Sequence, residues 1–187
     1  EAGSTQIGKY LAEKQYDVLG FSEDFGYHDN LVAPLRETYN MGKYRGGITG
    51  LHSDTDGLEL LTRKAYAVGE ENWIPWSTTH GFLTGGADEN IAKGFRHYAV
   101  TLAKNLVVDV YLLHMDADDE AEDRAARADQ LDQLCQAVML ANNGRPKIIM
   151  GDTNCRYTRD DIFGKLISPL ADRYDVYDAW VQLCKAG

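Results

Sequence analysis

Four residues of types suited to hydrolytic chemistry stand where short strand-like runs stop. Lys147-Ile148-Ile149-Met150 is a brief, mostly apolar run that reaches Gly151, and Asp152 and Asn154 come directly after it. A run of that length bounded by turn residues reads as a buried strand. An Asp and an Asn two residues apart beyond its end can face one site. The carboxylate can accept a proton or hold a cation, and the carboxamide can donate to a developing oxyanion. The same two residue types also favour turns, so from the residues alone a plain strand-ending turn fits equally well. His114 closes the run Val108-Asp109-Val110-Tyr111-Leu112-Leu113. A histidine there can be structural, or beside a phosphoryl group it can stabilise charge as the transition state forms. Glu23 follows Tyr16-Asp17-Val18-Leu19-Gly20-Phe21-Ser22. Mg²⁺ takes oxygen ligands and keeps several waters, so a single well-placed carboxylate can anchor it.

The elements that must position these residues follow from periodicity. Gln6 to Gln15 fits a helix with Ile7, Tyr10, Leu11 and Lys14 on one face, and the strand Asp17 to Phe21 comes at once. Asn30 to Tyr39 reads as a second helix, broken at Pro34 or starting near it. Gly42 to Gly50 is glycine-rich and carries Arg45; it lacks a P-loop pattern. Asp56 to Arg63 alternates as a strand does, and Ala65 to Val68 is the next extended piece. Glu70 to Glu89 reads as one long polar loop holding Trp73, Trp76, His80 and Gly85-Gly86. Long loops in compact domains are often functional. The two indoles either pack on the body of the domain or form a lip for a lipid surface, and packing of at least one is expected because that much apolar surface is costly to leave wet.

Arg96 to Leu102 and Leu106 to His114 form a hairpin through Ala103-Lys104-Asn105. The charge run Asp116 to Glu122 opens a helix, where acids suit the positive end of the dipole. Leu131, Leu134, Cys135 and Val138 recur at helical spacing and face a sheet. Asn142-Asn143-Gly144 ends that helix. A last helix, Arg159 to Ile167, is expected to stop before Pro169.

Composition bounds the function. The chain has 187 residues, with 44% hydrophobic and 26% charged content, enough for one domain with a real core. The formal net charge of −10 argues against a protein that coats nucleic acid, which is gripped mainly through Lys and Arg. A nuclease stays possible, because a bound cation offsets local acids. No apolar run reaches membrane-spanning length and no signal peptide is visible. A soluble protein is expected; the sequence does not give its compartment, and a secreted or periplasmic location stays open. Cys135, Cys155 and Cys184 have neither paired nor metal-like spacing, and nothing marks Cys155 as a nucleophile.

Gly151-Asp152-Thr153-Asn154 resembles the Gly-Asp-x-Asn motif of the endonuclease/exonuclease/phosphatase superfamily. Val108 to Asp116 resembles its strand ending in Thr-His-Leu, and Tyr16 to Glu23 resembles the strand that ends in its metal-binding Glu. Gly57 to Arg63 and Asp178-Ala179-Trp180 are similar to further segments, and Lys93-Gly94-Phe95 resembles a segment of sphingomyelinase-like members. The resemblance covers nearly the whole chain. It implies a DNase I-like α/β four-layer sandwich of two packed, mostly antiparallel sheets flanked by helices. It implies metal-dependent hydrolysis of a phosphomonoester or phosphodiester, with Glu23 as ligand to Mg²⁺ or Mn²⁺ and His114, Asp152 and Asn154 as catalytic residues. Arg45, His80, Lys93 and Arg156 are candidate substrate contacts. A small phosphoester or phospholipid head group is preferred, with peripheral membrane contact possible. The alternatives are a nuclease or a binding protein that keeps the fold. The superfamily's first-strand Asn and late Ser-Asp-His have no counterpart here, and none of His28, His52, His80, His97 and His114 follows Asp152, so a domain incomplete at both termini is expected.

Overall fold

The fold is described from a computed structural model, which covers all residues except 46, 47, 50, 51, 54, 82–90, 157, 158 and 185–187, with the side chains of 48, 49, 52 and 53 also left aside. Helix α1 (Ala2–Lys14) leads to strand β1 (Val18–Phe21). A short helix α2 (His28–Val32) and one further helical turn (Ala33–Leu35) lead to β2 (Tyr39–Asn40). Strands β3 (Ile48–Thr49) and β4 (His52–Ser53) pair with each other. Strands β5 (Glu59–Arg63), β6 (Ala67–Pro75), β7 (Gly94–Ala103) and β8 (Leu106–His114) precede the long helix α3 (Ala121–Leu140) and strand β9 (Lys147–Asp152). Helical turns at Phe163–Ile167 run into α4 (Ser168–Ala171), and α5 (Ala179–Cys184) follows.

Two sheets stack face to face. The smaller has the order β1-β5-β2, all antiparallel. The larger has the order β6-β7-β8-β9, antiparallel except for the parallel pair β8 and β9. Alternation along the strands sets what each face buries. Val108, Val110 and Leu112 of β8 point inward with Tyr98 and Val100 of β7 and meet Leu58 and Leu60 from the other sheet. Tyr111 and Leu113 point outward and pack on Leu131, Leu134, Cys135 and Val138 of α3. On the far side, Leu19 and Leu61 turn outward to Leu35 and to Leu11 of α1. The layers are therefore helix, sheet, sheet, helix, as the resemblance implies. At Gly20 the sheets approach closely, since a Cβ there would lie 2.7 Å from the Leu112 side chain and 2.9 Å from that of Met150.

Three boundaries differ from the sequence reading. The expected helix Asn30 to Tyr39 is shorter and starts earlier, at His28, and Tyr39 lies instead in β2, buried with its hydroxyl donating to the Tyr16 carbonyl. Glu70 to Pro75 is strand rather than loop, because β6 pairs with β7 from Ala67 to Pro75. Pro169 does not stop the last helix: the helical turns at Phe163–Ile167 continue through it into α4. The expected Gly85-Gly86 and part of Gly42 to Gly50 lie outside the described residues. Helix α3 starts late in the charge run, at Ala121, where the Glu120 side chain accepts from the Asp123 backbone N–H and the Asp123 side chain accepts from that of Glu120.

Gly151 is a point of close approach. Its φ is +126°, and a Cβ would lie 2.1 Å from the Leu113 carbonyl oxygen of the neighbouring strand. Gly151→Ala is expected to cost more than the about 1–3 kcal/mol of backbone strain alone, lowering Tm by about 2–4 °C per kcal/mol for a chain of this size. Gly144→Ala is the control, with φ +70° and open space around it. Thermal melts in which Gly151→Ala is no worse than Gly144→Ala would contradict the close approach.

Candidate active site

Three strand ends deliver the side chains. In the parallel pair, His114 of β8 and Asp152 of β9 are direct register partners. The Met115 N–H donates to the Asp152 carbonyl (2.9 Å), which extends the pairing one step past the strands. From the other sheet, β1 runs through Ser22 to Glu23, whose φ of +60° turns the chain sharply. That turn is held by the Asp24 N–H on the Gly57 carbonyl (3.0 Å) and the Phe25 N–H on the Glu23 carbonyl (2.9 Å). Glu23 Oε1 then lies 3.9 Å from His114 Nε2. The imidazole side chain is 3% exposed and the carboxylate 69% exposed, so a buried ring meets an open acid.

Asn154 completes the group through a local turn. Its backbone N–H donates to Asp152 Oδ1 (2.8 Å), and its φ is +51°. Asn tolerates that conformation better than most residues. Asn154 Nδ2 donates to the Met115 carbonyl (3.0 Å). A carboxamide NH₂ has two hydrogens, so a second donor remains available. The turn-forming and functional readings of Asp152 and Asn154 are thus compatible: the turn fixes both side chains at the end of the same strand. Glu23, His114, Asp152 and Asn154 lie at one end of the stacked sheets.

The remaining sequence candidates behave differently. Lys93 is buried and its ammonium donates to the Met115 carbonyl (2.9 Å), so it braces the end of β8 and does not present an open cation to a substrate. Arg156 is an exposed side chain that pairs with Asp119 (2.5 Å). Arg45 lies over the Trp73 ring, 4.3 Å from the guanidinium carbon to the ring centre. His80 borders the site through its backbone, whose N–H donates to Asp116 Oδ2 (2.7 Å), and its ring Nδ1 is 2.7 Å from Asp123 Oδ1. The thiol of Cys155 is pushed up to about 11, chiefly by burial, which leaves it inert as a nucleophile.

Two supports were not legible as such in the sequence. Trp76 is 6% exposed and its indole N–H donates to the His114 carbonyl (2.8 Å). The expected burial of one indole is therefore met, and the buried one also holds the strand end that carries His114. Asp116, just beyond β8, accepts from Gln130 Nε2 (2.8 Å), while Arg127 of α3 donates to the carbonyls of Asp116, Ala117 and Asp118. The charge run and the helix spacing named the right segments but not these cross-links.

The fold is that of the DNase I-like class. The chain has the fold of the endonuclease/exonuclease/phosphatase superfamily. It is similar over 90% or more of its length to a beta toxin variant from Staphylococcus aureus with bound magnesium ions (TM-score 0.73, 19% identity, covering 94% of this chain and 64% of that one). It is also similar to D. rerio TDP2 complexed with single-strand DNA product (TM-score 0.71, 19% identity, covering 98% of this chain and 64% of that one). Among curated proteins, a sphingomyelinase of Mycobacterium tuberculosis is 28% identical over 182 residues, 95% of this chain. The chain spans about a third of that relative's length, 34%. No protein-family model matches the chain. No helix among the described residues is long and apolar enough to cross a membrane.

His80 offers a direct check on the border of the site. The hydrogen bond to Asp123, followed by the charges of Asp123, Glu122 and Glu120, raises its pKa against the lowering effect of burial. A histidine raised in the fold contributes stability in its charged form. That contribution is complete below about 6.5, the ordinary value, and is lost as pH rises through the raised folded value. Titration by NMR should place His80 above the ordinary range, and Asp123→Asn should bring it back down. An unshifted His80 in the wild type would exclude the dyad.

Proposed function

We propose that this chain carries the active site of a divalent-metal-dependent phosphodiesterase that prefers a phospholipid head group. The observation that carries the reading is the direct pairing of His114 with Asp152 across β8 and β9, with the Glu23 carboxylate 3.9 Å from the same histidine. Two carboxylates, an imidazole and a carboxamide at one sheet end are a donor set for phosphoryl transfer, where position and electrostatics supply most of the rate.

The Glu23 carboxylate fits a hard cation: it is open to solvent, and among the described ion pairs its one partner is the distant His114 ring. Glu23 would hold Mg²⁺ or Mn²⁺, and such an ion, when bound, polarises a phosphoryl oxygen and offsets its charge. Asp152, whose Oδ1 is engaged by the Asn154 amide, orients the attacking water and takes its proton. His114, buried and tied through its carbonyl to Trp76, donates from Nε2 to a phosphoryl oxygen. Asn154 uses its second amide hydrogen to hold that oxygen or the water. The likeness to a mycobacterial sphingomyelinase and the net charge of −10 both support a head group over a polyanion.

The test is hydrolysis of sphingomyelin vesicles, bis(p-nitrophenyl) phosphate and single-stranded DNA by the protein, with Mg²⁺ and with EDTA. Vesicle and diester hydrolysis should require the metal. Asp152→Asn should lower kcat by ~100- to 10,000-fold, the usual contribution of general base catalysis. Metal-independent turnover, or an Asp152→Asn protein as active as wild type, would overturn the assignment. DNA cleaved faster than the vesicles would replace the head-group preference with a nuclease.

A further inference from the structure

Directly behind Glu23 the chain builds a second group of ligand-type side chains that none of the roles above uses. Asp24, His28 and Glu59 each bring one donor atom into a group lying within 4.8 Å of one another. Asp24 is 5% and Glu59 1% exposed, and the His28 side chain is 15% exposed. His28 Nδ1 lies 2.7 Å from Asp24 Oδ2 and 3.4 Å from Glu59 Oε2. The Gly42 amide bonds the Glu59 carboxylate, and burial followed by the neighbouring Asp24 carboxylate, which also shares a hydrogen bond with it, pushes its pKa up to about 8; Oε2 itself has the His28 ring at 3.4 Å and no well-formed hydrogen bond. Buried carboxylate oxygens are normally satisfied, so this one calls for an explanation. Arg96 is the nearest strong cation from the facing sheet, but its guanidinium is taken up by Asp56, Glu71 and the Lys43 carbonyl.

We propose that Asp24, His28 and Glu59 form a second metal site, separate from Glu23, for a transition-metal dication of the Zn²⁺ type. Bonds of about 2.1 Å put neighbouring donors about 3.0 Å apart at right angles and about 3.4 Å apart at the tetrahedral angle. The 3.4 Å separation falls in that range, and the 2.7 Å one, a hydrogen bond between His28 and Asp24, would lengthen to about 3.0 Å when an ion replaces the shared proton. An imidazole among the ligands selects Zn²⁺-like ions over Mg²⁺, which prefers oxygen alone. The ring is held in place: Tyr44 stacks on it (3.8 Å between centres, 12° between planes) and donates its hydroxyl to the Phe25 carbonyl (2.6 Å). Consecutive carboxylates are divided by the turn at Glu23. Glu23 faces His114, and Asp24 faces the buried group. A metal bound there ties the Glu23–Phe25 turn to α2 and β5, so its function is to fix the position of Glu23.

The probe is the metal alone. Metal-free protein is titrated with Zn²⁺ against a chromophoric chelator, and with Co²⁺ while its visible absorption is followed. Wild type and Glu23→Gln should bind one Zn²⁺ equally, and Co²⁺ should give the intense bands of a four- or five-coordinate site with nitrogen ligation. His28→Gln and Glu59→Gln should weaken Zn²⁺ by more than the ~10–100-fold that loss of an outer-shell partner costs. Circular dichroism identifies any variant that fails to fold, and the wild-type Co²⁺ spectrum decides independently of the variants. Loss of Zn²⁺ in Glu23→Gln but not in His28→Gln would assign the ion to the catalytic carboxylate and overturn the proposal. A featureless Co²⁺ titration of wild type would also overturn it, leaving a proton shared between Asp24 and Glu59.

Discussion

The parallel pairing of β8 with β9 is the constraint on which the site depends. Everything else in the large sheet is antiparallel, and antiparallel neighbours end at opposite edges. Only a parallel pair brings two strand C-termini to the same edge, and here it places His114 beside Asp152. The register cannot slip by one residue without sending Tyr111 and Leu113 into the inter-sheet space and Leu112 onto α3. Gly151 fixes it further, because the Leu113 carbonyl occupies the room a side chain would need. Helix α3 is the crossover that makes the parallel pair possible, and its Leu131, Leu134 and Val138 are the apolar stripe that holds it to the sheet.

The second sheet has to be held in place relative to the first, and a buried ion pair does much of this. Arg96 of β7 donates through Nε and Nη2 to both oxygens of Asp56, each at 2.7 Å, with both side chains essentially fully buried. Asp56 also accepts from the Leu58 N–H, and the next residue, Gly57, accepts from the Asp24 N–H. The path from the large sheet to the Glu23 turn is thus short and rigid. Desolvating two charges offsets most of what their attraction contributes, so the pair matters for orientation more than for stability. A fork-shaped guanidinium against a carboxylate allows few geometries.

Much of this was legible from periodicity and residue type, and the reasons are physical. The alternation of Val108 to Leu113 and the helical spacing of Leu131 to Val138 are local consequences of burial, so the sequence carries them. Gly151-Asp152-Thr153-Asn154 was equally readable, since a turn and a site both need those residues. What could not be read depends on contacts far apart in the chain. Trp76 and His114 are 38 positions apart, and Arg96 and Asp56 are 40. Lys93 looked like an open cation because nothing local says that its ammonium meets the Met115 carbonyl. The strand Glu70 to Pro75 was hidden because its burial is slight and its residues are polar; it forms by pairing with β7, not by packing an apolar face.

The distribution of acids in this chain carries its own argument. Most buried carboxylates have a cation or several donors. Asp109 faces Arg145, His97 and Lys147 and accepts from Asn143; these partners hold it below the usual carboxylate range despite burial. Asp123 has the His80 ring, Asp160 has Arg127 and Arg159, and Asp56 has Arg96. Among the described residues the buried pair Asp24 and Glu59 departs from this pattern by sharing one histidine, and beside it the exposed Glu23 stands near another. A protein with a net charge of −10 gains by compensating acids wherever its own cations reach. The places it leaves short are adjacent in sequence and lie on the two sides of one turn, where an external cation can supply the balance that no side chain does.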